Sequence, residues 1–320
     1  MAAHGITGQG GSPDTSGSDE RPIAAEVGGL PRRLRGPAPL VLDGATGTEL
    51  ERRGVPVALP LWSAQALLEA PAMVETIHRD YLAAGADVLT ANTFRTHTRS
   101  LAHAGLGGRA LELTTKAVEL ARSAAGTAGR KVYVLGSAAP LEDCYRPDRV
   151  PPDSELVREH AAHARHLAHA GVDAVLVETQ NTIREARIAA AAARETGLPF
   201  LVCFVCGANA RLLSGESLAE AARALAPLAP CALGVNCLPP RAVPSCLDAL
   251  AAPDTPLAVY ANLGAPGDDP TSPRSDDCSP QTLADHARGW AKRGVRLLGG
   301  CCGTTPEHLR ALAAAVRPGA

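Results

Sequence analysis

From Pro39 onward the chain alternates short apolar runs with longer stretches whose apolar residues recur every three to four positions. Eight of the short runs read as strands, at residues 40–43, 86–92, 132–137, 174–178, 200–205, 233–237, 257–262 and 295–300. Most of them end in Gly, Pro or polar residues, and a stretch of helical period follows. Helices are predicted over 64–84, 111–125, 154–170, 183–196, 218–228 and 283–293. Ala84-Gly85 and Ala170-Gly171 put glycine just past a helix end, the usual C-terminal cap. Several strands are apolar at every position instead of alternating, so they are expected to be covered on both faces.

Eight strands alternating with helices over about 280 residues is the count of a single-domain (β/α)8 TIM barrel, an α/β fold. A doubly wound open sheet is the competing layout, but no G-x-G-x-x-G follows the first strand. The barrel is assigned to residues 37–320. Residues 1–36 are rich in Gly, Ser, Pro, Asp and Ala without apolar period, and read as a flexible leader outside the fold.

Composition removes some functions. Aromatic residues make up 3% of the chain, so Ala, Val and Leu must fill the core. A formal net charge of -2 gives no footprint for nucleic acid or for an anionic membrane. No apolar run approaches the roughly 20 residues that span a bilayer, and the N-terminus lacks a secretory pattern. Nine cysteines without the spacing of a disulfide framework suit a reducing cytoplasm, with some thiols held on metal.

A barrel carries its chemistry at the C-terminal ends of its strands. Read in order, those ends are Asp43, Asn92, Ser137, Glu178, Cys206 and Cys237, then Asn262, Cys301 and Cys302. The sharpest element is Gly299-Gly300-Cys301-Cys302-Gly303. Adjacent cysteines in such a turn can both face one metal, because glycine permits the backbone angles required. Cys237 ends the sixth strand, two strands away around the ring. Three thiolates with an open fourth position suit a catalytic zinc ion, Zn2+, which lowers the pKa of a bound thiol. The competing reading, ordinary buried cysteines, is retained for the isolated Cys231 and Cys246.

Two other patterns are read as structural. Cys203-x-x-Cys206 lies in the fifth strand with no second such pair, and residues i and i+3 on a strand face opposite ways. His160, His163, His166 and His169 recur every third residue on one helix, a spacing that drifts around its axis. They are expected to lie on a solvated outer face.

From Leu40 to Val316 the chain resembles the zinc-dependent homocysteine S-methyltransferases, which are TIM barrels. The resemblance rests on Leu42-Asp43-Gly44-Ala45-Thr46-Gly47-Thr48-Glu49-Leu50, Leu61-Trp62-Ser63-Ala64, Ala91-Asn92-Thr93-Phe94 and Glu178-Thr179. Its most specific part is Gly234-Val235-Asn236-Cys237 together with Gly299-Gly300-Cys301-Cys302-Gly303-Thr304-Thr305-Pro306. The resemblance implies that Cys237, Cys301 and Cys302 are the zinc thiolates and that Glu178 holds the homocysteine ammonium. It places Asp43 and Gly44 in the same amino acid pocket, and Asn262 beside the metal, filling the fourth site when substrate is absent. Thr304 and Thr305 open the last helix, where free N–H groups are expected to meet a substrate carboxylate. Two segments depart from the family, Gly136-Ser137-Ala138-Ala139-Pro140 and Ala261-Asn262-Leu263-Gly264. Both flank the pocket, where they bear on the choice of methyl donor.

The activity so implied is methyl transfer to homocysteine, giving methionine, with homocysteine and a small methyl donor as partners. A sulfonium donor, S-methylmethionine or S-adenosylmethionine, is preferred. Betaine calls for an aromatic cage, which two Trp, four Tyr and three Phe supply thinly. Betaine, another thiol or selenol acceptor, and a non-catalytic zinc or redox-sensing protein are the alternatives.

Overall fold

Along a strand, successive side chains go to opposite faces, and here the two faces feed two separate apolar clusters. The computed structural model describes residues 29–250, 254–263 and 278–317, together with residues 1, 2 and 5. The strands are β1 (Leu40–Val41), β2 (Val88–Ala91), β3 (Tyr133–Ala138), β4 (Ala174–Gln180), β5 (Phe200–Phe204), β6 (Ala232–Asn236), β7 (Leu257–Ala261) and β8 (Val295–Gly300). Leu40, Val88, Leu176, Leu201 and Leu297 belong to an inner cluster, whereas Val41, Leu89, Val175, Val202 and Leu298 pack outward. All neighbouring strands are parallel, in the order β1-β8-β7-β6-β5-β4-β3-β2. A Leu42–Val88 bridge and the Asp43 N–H donated to Val88 O at 3.0 Å close the seam between β1 and β2. The ring is therefore the expected (β/α)8 barrel, with its interior filled by side chains.

The helices are α1 (Gly29–Leu34), α2 (Gly47–Arg52), α3 (Ala66–Glu69), α4 (Pro71–Ala83), α5 (Thr98–Ala102) and α6 (Ala110–Gly126). They continue as α7 (Asp153–His169), α8 (Ile183–Glu195), α9 (Leu218–Leu225), α10 (Val243–Ala249), α11 (Pro280–Lys292) and α12 (Pro306–Val316). Their apolar sides press small residues, such as Ala186, Ala189, Ala190 and Ala193 of α8, onto the outer cluster. This is how a chain poor in aromatics fills its core.

The helix expected over 64–84 is broken. Pro71 lacks an N–H and its ring disfavours the helical conformation in the preceding residue, so Ala70 turns out to φ -144°, ψ 51° and a new helix begins. The folded part also reaches further back than Pro39. Gly29–Leu34, within the expected leader, is a helix whose Leu30 and Leu34 are buried in the inner cluster. They share that cluster with Leu40 and Ala174, the first residues of β1 and β4, so α1 belongs to the barrel core. Too few apolar positions precede Pro39 for a periodic pattern to show, which is why composition alone mistook this turn for leader. Leu34→Ala is expected to cost about 2–5 kcal/mol, the usual range for a large-to-small change in a packed core, read as a lowered urea midpoint at unchanged slope.

Candidate active site

At the other end of the barrel the strand ends surround one cavity of about 860 Å³. Asp43, Gly44, Glu178 and Asn262 line it, and so do Cys237, Cys301 and Cys302. All seven residues expected at the site therefore meet there.

The cysteines are brought together by two turns. At Gly300 a Cβ would collide with Thr304, so only glycine lets β8 turn there. The turn is tied to β7 by the Cys301 N–H donated to Ala261 O at 2.7 Å and the Leu263 N–H donated to Cys302 O at 2.9 Å. Cys237 follows β6 with φ 54°, a left-handed conformation that non-glycine residues rarely take. Such strain costs on the order of 1–3 kcal/mol and persists where the surroundings impose it. The Cys237 Sγ lies 2.8 Å from the Cys301 Sγ, and the three sulfurs are all within 4.8 Å of one another. Cys301, Cys302 and burial push the Cys237 thiol well above its ordinary range. Three crowded thiols resist ionising together unless a cation neutralises them. Among the described residues this is the only cluster of three His, Cys, Asp or Glu side chains able to hold a metal ion.

Two buried carboxyl groups face the same space. Glu178, on β4, accepts from Ser137 Oγ, from Tyr260 OH at 3.1 Å and from Asn236 Nδ2 at 3.4 Å. Burial raises its pKa to about 7, against the opposing effect of the Ser137 and Tyr260 hydrogen bonds. Asp43 accepts the Thr90 N–H at 2.8 Å, and burial raises its pKa to about 8. His78 Nδ1 lies 4.0 Å from it, but burial holds that imidazole near about 4 and it supplies no counter-charge at neutral pH. Asn262 is 4% exposed, and its Oδ1 has no hydrogen-bond partner among the described residues. A buried carbonyl left without a donor is costly, which suits an acceptor reserved for a ligand.

The backbone behind Glu178 is fixed by polar groups that strand patterning does not reveal. Asn236 spans β6 and β4, accepting the Thr179 N–H at 2.9 Å and donating to Thr179 Oγ1 at 2.8 Å. Thr179 itself has φ 56°, and the β4–β5 register slips between Val177 and Gln180. Ser137 O is held by Thr93 Oγ1 at 2.9 Å and by His163 Nε2 at 3.0 Å.

The histidine stripe is thus not a solvated face. His160 and His163 are 3% and 2% exposed, and His160 Nε2 meets Glu185 Oε1 at 3.0 Å. Residues 160 and 163 fall on the side of α7 that packs toward β3 and α8, while His169 stays exposed. Thr304 and Thr305 do not face the cavity either. Thr304 Oγ1 donates to Cys301 O at 2.7 Å and accepts the Ala45 N–H at 3.2 Å, and Thr305 caps α12 against His308. Thr304 thus braces the cysteine turn. Cys206 follows β5 outside the cavity, in the outer cluster beside Cys246, while Cys203 faces inward.

Tyr260 and Arg95 were absent from the sequence expectations. Tyr260 reads as one more apolar residue of β7, yet it shares a face with Asn262, two positions on, and its OH is the one polar tip pointing at Glu178 from that strand. Parity with a suspected site residue was the usable clue.

The chain matches the homocysteine S-methyltransferase family over residues 40–316. It is 30% identical to homocysteine S-methyltransferase YbgG of Bacillus subtilis over 302 residues, covering 87% of this chain and 94% of that protein. It is also 30% identical to a selenocysteine Se-methyltransferase of Brassica oleracea, over 85% of this chain and 87% of the relative. The metallated crystal structure of the homocysteine methyltransferase MmuM from Escherichia coli superposes with a TM-score of 0.75 at 31% identity, covering 87% of this chain and 96% of that one.

Proposed function

The chain belongs to the homocysteine S-methyltransferase family, and from that premise we propose that it moves a methyl group from a sulfonium donor to homocysteine bound beside a zinc ion. The observation that carries this reading is the convergence of three thiols on the cavity that also holds Glu178. Tetrahedral zinc with Zn–S of about 2.3 Å sets its sulfurs roughly 3.8 Å apart, so the 2.8 Å Cys237–Cys301 pair would open by about 1 Å to hold it. Zinc held there would lower the pKa of a thiol sharing it and keep that thiol as thiolate at neutral pH.

The chain's own residues do the rest. Glu178 accepts the homocysteine ammonium, with Ser137, Tyr260 and Asn236 fixing its carboxyl plane. Asp43, whose pKa burial raises to about 8, lines the same cavity and places its carboxyl where it can hydrogen-bond substrate. Asn262 contributes a carbonyl oxygen without another partner among the described residues. The cavity is large enough for an amino acid and a second substrate together. The homocysteine sulfur then attacks the methyl carbon in line with the donor sulfur. One S–C bond forms as the other breaks, the thiol proton passes to solvent, and a neutral thioether leaves. Holding both partners in line is the main source of acceleration. A selenol acceptor is the neighbouring reading, favoured by the likeness to the Brassica enzyme.

Purified protein with homocysteine and a panel of S-methylmethionine, S-adenosylmethionine, betaine and methyltetrahydrofolate tests this reading. Methionine is expected with a sulfonium donor, and its formation only from betaine or the folate would refute the donor assignment. A pH dependence is also expected. Burial lets Glu178 keep its proton up to about 7, so an ammonium ligand must displace it as the pH falls. Methionine, which carries no thiol, should bind about tenfold more weakly at pH 6 than at pH 8, and calorimetry would show the slope flattened in Glu178→Gln.

A further inference from the structure

Among the described residues three arginines line the cavity: Arg95, Arg146 and Arg241. Arg146 is neutralised by a two-pronged contact with Asp148 at 2.8 and 2.6 Å, and Arg241 is exposed at the rim. Arg95 differs from both. It is 7% exposed, its guanidinium carbon sits 5.3 Å above the Phe94 ring, and its Nη1 donates to Glu142 O at 3.0 Å. Among the described residues no carboxylate lies within ion-pair reach of it. A guanidinium carries five N–H donors in a fixed plane, and a buried cation without a counter-charge is costly. An anion entering the cavity would supply what Arg95 lacks.

Its place in the barrel indicates which anion. Homocysteine is assigned to Glu178 on β4 and to the thiols after β6 and β8. Arg95 lies four residues past the end of β2 at Ala91, above the strand ends rather than among them. In the eight-stranded ring β2 stands opposite β6, and Arg95 and Cys237 line the same cavity. A molecule delivering a methyl group toward the sulfurs fills the space between. The Glu142 contact joins the β2 loop to the β3 loop, which carries the cavity residue Tyr145.

We propose that Arg95 binds the carboxylate of the methyl donor, so that the donor is a zwitterion with an onium methyl at one end and a carboxylate at the other. This rests on the methyl-transfer reading and adds a donor-specificity residue to it.

The test compares S-methylmethionine with its carboxamide, in wild type and Arg95→Gln, by steady-state kinetics and by calorimetric binding. Wild type is expected to prefer the carboxylate form by roughly ten- to 150-fold, the usual worth of a hydrogen bond to a charged group. Arg95→Gln should lose that preference by raising the donor KM, with the homocysteine KM and bound zinc unchanged. Arg95→Lys should restore part of it. A role confined to bracing the loops would weaken both donors equally and overturn the proposal, as would a rise in the homocysteine KM alone. If wild type binds the carboxylate through Arg95 but transfers no methyl, the methyl-transfer reading falls and the anion site stands. If transfer proceeds with no preference between the two donors, the anion site falls and the reading stands. Absence of both binding and transfer sinks both.

Discussion

Cys301→Ser is expected to lose bound zinc and methyl transfer together. Cys301 sits 2.8 Å from Cys237, and the three sulfurs form the only such cluster among the described residues. A serine hydroxyl is far harder to ionise than a thiol and is a poor ligand for a borderline-soft ion, so two thiolates remain where three are needed. The change relieves crowding in the metal-free protein, so the fold should survive it. Thermal unfolding separates the two effects. Without metal, wild type and variant should melt alike. With free zinc at a thousand times its dissociation constant, wild type alone should gain about 4 kcal/mol from binding to the folded state. A variant that still binds zinc and makes methionine at the wild-type rate would remove Cys301 from the mechanism.

The second large effect is on substrate. Glu178→Gln should raise the homocysteine KM by roughly ten- to 150-fold, the worth of a hydrogen bond between charged groups. The amide is nearly isosteric and can still accept from Tyr260 OH, so the cavity keeps its shape. It also removes a carboxyl that burial has already driven up to about 7, so the unfolding midpoint should hold or rise. A KM unchanged within about twofold would mean that the ammonium is held elsewhere.

Much of this site could be read from the sequence because barrel geometry turns strand order into position. Adjacent Cys301 and Cys302 needed no structure to look unusual. Cys237, 64 residues earlier, joined them only because both segments end strands of one ring. Asp43 and Glu178 followed by the same logic. The rest depended on partners that a linear pattern does not carry. Tyr260 looks like core until its OH is seen on Glu178. His160 and His163 look like a polar stripe until Glu185 and Ser137 O are found facing them. Thr304 stands at a helix start, yet its hydroxyl is consumed by Cys301 O, which no count of helix N–H groups could show. Arg95 was passed over because one charged residue in a turn is ordinary, and only its burial without a carboxylate partner among the described residues marks it. The errors in outline were local. Pro71 broke a long amphipathic stretch, and Leu30 and Leu34 were too few to signal that α1 belongs to the barrel.

The most direct test of the three-thiolate account is X-ray absorption at the zinc edge on the purified protein, before and after homocysteine is added. Three sulfurs at about 2.3 Å with one lighter atom, changing to four sulfurs with homocysteine, is the predicted result. Four sulfurs before addition, or an unchanged shell after it, would contradict an open zinc site that receives the substrate thiol.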